Sequence, residues 1–92
     1  MPMNEDFAKY IEDLHFCAAN THRAEDRELY SKYLAASAYI LAELVLGANK
    51  NRVLELIKDH ERLWGNTWLQ DPIYERASKS YNAFKAKYVI GI

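Results

Sequence analysis

The sequence predicts an all-α fold, a compact bundle of four helices in which helix 2 is longest and central. Three observations carry this. Half of the 92 residues are apolar, enough for a core, while only three Gly and two Pro interrupt the chain. Apolar positions recur at helical rather than alternating spacing through four segments. Each segment is bounded by residues suited to starting or stopping a helix. A chain of this length fits one domain, residues 1–92.

Helix 1 is expected from Glu5 to Ala19, with Asn4 as N-cap and two acidic residues, Glu5 and Asp6, at the positive helix start. At 100° per residue, Phe7, Tyr10, Ile11, Leu14, Cys17 and Ala18 share a face. Phe16 falls on the opposite side. Asn20-Thr21 breaks the pattern, and Thr21 is placed to cap the next helix.

Helix 2 is expected from His22 to Leu46, stopping at Gly47. Its apolar arc is wide. One stripe holds Leu29, Tyr33, Ala36, Ile40 and Leu44, and a second holds Tyr30, Leu34, Leu41 and Val45. Ala35, Ala38 and Ala42 widen the arc further. Two arrangements follow: helix 2 sits at the bundle centre, or one stripe faces the core and the other a second subunit.

Asn49 or Asn51 is expected to cap helix 3, which runs to Trp64 and ends at Gly65. Its shared face is Val53, Leu56, Ile57, His60, Leu63 and Trp64. The linker after it carries Trp68, a large apolar side chain suited either to plugging the bundle or to anchoring a partner. Asp71 and Pro72 then read as N-cap and first residue of helix 4. That helix is expected to reach Tyr88 with Ile73, Ala77, Tyr81, Phe84 and Tyr88 inward.

The chemistry-bearing residues are few. Glu12-x-x-His15 has the spacing of a helical di-metal ligand pair, but it points away from the core face and has no second copy, so no metal site is expected. His60 lies within an apolar stripe, where a tyrosine hydroxyl is the expected partner for its ring. Cys17 is the only cysteine and faces inward, so no internal disulfide forms and no nucleophile is expected. No Gly-rich phosphate loop is present, and no catalytic residue or cofactor is expected.

The formal net charge is −1, from 12 basic and 13 acidic residues, which argues against a general nucleic-acid binder. The charge is unevenly spread. Residues 1–28 hold seven acidic and three basic side chains, while residues 72–92 hold one acidic and four basic. The two ends are therefore expected to attract, within one bundle or between two chains. The N-terminal segment lacks a signal-peptide pattern, and the apolar run Leu34 to Leu46 is shorter than a bilayer span. The expected location is cytoplasmic, with no membrane partner.

The function expected from these features is a small non-enzymatic protein-interaction module, a regulator, adaptor or inhibitor, acting as a homodimer. The candidate interface is Tyr30, Leu34, Leu41, Val45 and Trp68. The alternatives are a DNA-associated regulator that dimerises through helix 2 and, third, a metal-binding or enzymatic bundle.

Overall fold

A computed structural model describes residues 2–47, 49–65 and 73–90. The chain is an all-α bundle of four helices: α1 (Pro2–Asn20), α2 (Ala24–Leu46), α3 (Lys50–Gly65) and α4 (Tyr74–Lys85), the last continued by a π-helical turn over Ala86–Ile90. There is no strand among the described residues. The radius of gyration is 12.8 Å, close to the roughly 12 Å of a fully compact chain of this length. Helix α2, 23 residues long, packs along α1 on one side and α3 on the other. Helix α1 in turn packs along α4.

The ends of the helices follow local chemistry, with corrections to several expected caps. Helix α1 already runs from Pro2, so Asn4 lies inside it rather than capping it. Proline suits a first helical position because its missing N–H would have had no partner there. Helix α2 starts behind Arg23, whose backbone is extended and whose side chain makes no cap bond. Thr21 stands two residues earlier than a cap requires. Its buried hydroxyl instead accepts the Arg23 amide at 3.3 Å.

At the other end of α2, Gly47 adopts φ +70°, and its amide donates to the carbonyls of Glu43 and Leu44. That left-handed residue closes the helix by reaching carbonyls the helix itself leaves open. Of the two asparagines near the start of α3, Asn49 is the cap. Its Oδ1 accepts the amides of Asn51 at 2.8 Å and Arg52 at 3.2 Å. Before α4, Ile73 is itself in helical conformation. The expected cap pair Asp71-Pro72 lies outside the described residues.

The core is built on aromatics. Phe7, Tyr10, Leu14 and Cys17 of α1 are fully buried, against Phe84 and Tyr81 of α4 and Tyr30, Tyr33 and Ile40 of α2. Phe7 meets Phe84 edge-on at 4.8 Å between centroids, and Tyr10 meets Tyr81 at 5.0 Å. Tyr88, carried inward by the π-helical turn, stacks on Phe84 at 5.4 Å. Offset and edge-on contacts of this kind add to the gain from burial itself. Val53 and Ile57 of α3 close the other side.

Helix α2 buries a narrower face than its composition suggests. The buried line is Asp26, Tyr30, Tyr33, Ser37 and Ile40, which takes Tyr33 and Ile40 from the first expected stripe and Tyr30 from the second. Leu29, Leu34, Leu41 and Leu44 flank it, half-buried against the core. Ser37 is tolerated inside because its hydroxyl donates to the Leu34 carbonyl at 2.8 Å. On the remaining side the N-terminal half is polar, with Glu28, Ser31 and Lys32 exposed, and the C-terminal half from Ala35 to Leu46 is largely apolar and exposed.

Candidate functional site

The outer face of α2 carries a row of exposed apolar residues. Ala35, Ala38, Tyr39, Ala42, Val45 and Leu46 are all exposed, with Tyr39 at 68%, Val45 at 64% and Leu46 at 79%. Their spacing of 3, 1, 3, 3 and 1 places them on one side of the helix, opposite the buried line. Scattered exposed apolar residues need no explanation, but a continuous row does. The row continues sideways. Between α2 and α3 lies a hollow of about 320 Å³ lined by Ala36, Tyr39, Leu56, Asp59, His60 and Leu63.

The expected interface residues are therefore divided. Val45 is on the exposed row. Tyr30 is fully buried in the core, so it presents no surface to a partner. Leu34 and Leu41 are half-buried against that core. The free stripe is displaced around the helix from the expected one because the buried line draws on both expected stripes and leaves the opposite side uncovered. Trp68 lies outside the described residues. Tyr39 and Leu46, which fall on neither expected stripe, are the residues the sequence reading missed. Their signal was present in the i, i+3, i+4 spacing that links them to the alanines.

Beneath the hollow is the core histidine. His60 is 1% exposed, and its Nε2 lies 2.6 Å from the Tyr10 hydroxyl in a buried hydrogen bond. Tyr10, Tyr33 and Tyr81 surround the ring within about 6 Å. Burial pushes the imidazole pKa down to about 4, against a smaller opposing pull from Glu61. The Tyr81 hydroxyl donates to Glu61 at 2.8 Å, and Lys85 pairs with the same oxygen at 2.7 Å. Burial first and then the nearby carboxylate push the Tyr81 pKa up. His60 is a neutral packed ring at neutral pH.

A second, polar site lies between α1 and α4. A cleft of about 460 Å³ is walled by Lys9, Asp13 and Phe16 on α1. Ile73, Glu75, Arg76 and Lys79 form the other wall. Asp13 is 2% exposed and accepts from Lys9 at 3.1 Å, from Arg76 Nε at 3.2 Å and from Ser80. Its pKa is lowered: burial works against this, but the hydrogen bonds from Ser80, Lys9 and Arg76 outweigh it. Phe16, which helical spacing puts off the core face, lies under Arg76, with 3.9 Å from guanidinium carbon to ring centroid. The expected attraction between the chain ends operates here, within one bundle. Asp13 holds Arg76, and Asp6 holds Lys87 at 3.1 Å.

Glu12 and His15 are both exposed on α1. No group of three or more His, Cys, Asp or Glu that could hold a metal occurs among the described residues. Cys17 is buried, and its thiol donates to the Ile73 carbonyl at 3.3 Å. Helix α2 is long and apolar enough, by length and composition alone, to cross a membrane. In the bundle one side of it is core.

No protein-family model matches this chain, and neither a curated protein nor a solved structure matches it.

Proposed function

We propose that the protein is a small non-enzymatic interaction module, a regulator, adaptor or inhibitor, that pairs with a second copy of itself through the outer face of α2. The observation that carries this reading is the exposed row of Ala35, Ala38, Tyr39, Ala42, Val45 and Leu46. Burying a large apolar side chain contributes roughly 1.5–3 kcal/mol. Leaving Tyr39, Val45 and Leu46 in water forfeits a sizeable part of the few kcal/mol that stabilise so small a domain.

The order of residues in the row favours a second copy. In an antiparallel pair of α2 helices crossing between Ala38 and Ala42, those two alanines face each other. Val45 of each helix then falls opposite Ala35 of its mate. Large meets small at both ends, and small meets small at the crossing, where close approach is needed. An interface of that kind is self-complementary about a two-fold axis.

Sedimentation equilibrium at tens of micromolar tests it. The expected result is a dimer, with Tyr39→Glu and Leu46→Glu giving monomers of unchanged helicity, since neither side chain serves the core. Leu34→Glu, by contrast, should destabilise the bundle itself. A wild-type chain that stays monomeric throughout this range would overturn the reading.

A further inference from the structure

The cleft between α1 and α4 contains an arginine held in place before any ligand arrives. The Nε of Arg76 donates to the buried Asp13, and its guanidinium carbon lies over the Phe16 ring, 3.9 Å from the centroid. One edge and one face of the plane are thus fixed. The other edge carries the two terminal NH2 groups, and among the described residues neither donates to any acceptor. Much of the rotamer freedom that an arginine surrenders on binding is already gone, so recognition costs less than at a free side chain.

The surroundings define what would fit. Lys79, three residues along α4 and lining the same cleft, makes no ion pair among the described residues. Asp13 is already satisfied by three donors, which leaves Glu75 as the one carboxylate opposing an anion. Cations in the walls outnumber carboxylates by three (Lys9, Arg76, Lys79) to two (Asp13, Glu75). Phe16 is 38% exposed and with Ile73 offers an apolar wall beside the charges. The volume of about 460 Å³ is in the range of small-molecule sites.

We propose that this cleft binds a small organic oxyanion, a carboxylate or phosphate carried on a short apolar or aromatic group. The paired terminal nitrogens of Arg76 take two oxygens side by side, a geometry a planar fork offers and an ammonium does not. Lys79 supplies the second charge, and Phe16 with Ile73 receives the apolar part. The site is separate from the outer face of α2, so it stands whether or not the chain pairs.

The test is an NMR titration of the full-length chain at constant ionic strength, following the Arg76 Nε–H and the Phe16 ring. Phenyl phosphate and 4-methylbenzoate are the two probes, with chloride and inorganic phosphate as controls. Saturable shifts with either organic probe are expected, and the stronger of the two identifies the head group. Arg76→Lys keeps the charge but loses the fork, and should weaken binding about tenfold. Because that change also loosens Asp13, Lys79→Gln is the second variant. It should weaken binding several-fold with no change in thermal midpoint. Shifts that are linear and match those from chloride would overturn the proposal. So would equal affinity in the wild type and both variants.

Discussion

Tyr10 and His60, fifty residues apart in the chain, meet in the core with 2.6 Å between hydroxyl oxygen and Nε2. The contact ties α1 to α3, and burial at this position keeps the imidazole neutral. Its pKa falls to about 4 in the folded state, against about 6.5 in the unfolded chain. The unfolded chain therefore binds the proton more readily. The stability from this group is full above pH about 6.5 and is lost as the pH falls toward about 4. A shift of this size corresponds to about 3 kcal/mol. Urea midpoints at a series of pH values should decline across that window, and His60→Leu should remove the decline. A His60 ring that titrates near pH 6.5 by NMR would contradict it.

Asp13 works in the opposite sense and in a lower window. Its folded pKa is depressed, so its contribution is present above the unfolded value of about 3.9 and disappears as pH drops through the folded one. Asp13→Asn should lower stability at pH 7 by about 1–3 kcal/mol, since Arg76, Lys9 and Ser80 lose a charged acceptor. At the acid end of the window, wild type and variant should converge. Chemical denaturation at pH 7 and near pH 2 measures both.

Gly47 sits at φ +70° with nothing within 4 Å of the position a Cβ would take. Space is free, so only the backbone resists a side chain. Gly47→Ala should cost about 1 kcal/mol, and Gly47→Asn less, because asparagine tolerates the left-handed region. A thermal scan of the two variants would show the ranking.

Cys17 is fully buried, and burial raises its thiol pKa. An aromatic disulfide reagent at pH 8 should leave the native protein unmodified and react on addition of denaturant. Rapid labelling of the folded chain would show that α1 and α4 separate readily.

The parts of the fold that were legible in the sequence are those set by local chemistry or by period. Asn49 could be read as a cap, Gly47 as a stop, and His60 as an inward ring. Asp13 could not be read, because a buried carboxylate is tolerable only when its partners are known. Arg76 and Ser80 come from more than sixty residues away. The same blindness affected α2. Its wheel is apolar nearly all round, so period alone could not say which side α1 and α3 would cover. Tyr30 went inward, and Tyr39, nine residues on, went outward. Phe16 was visible as an anomaly, but the guanidinium resting on it was not.

The pairing of α1 with α4 also fixes the order in which the chain can assemble. Phe7 and Asp13 lie near one end of the sequence, and Phe84, Arg76 and Ser80 near the other. While the chain is being synthesised, α1 can find α2 early, as a hairpin of neighbours closed by a short loop. Its second face has no mate until the last helix emerges, since contacts between distant segments pay their loop-closure entropy last. Until then Phe7 and Phe16 are the surfaces on which a nascent chain of this protein would be held by a chaperone or lost to aggregation. A ribosome stalled before residue 74 should present α1 as the segment most open to a protease.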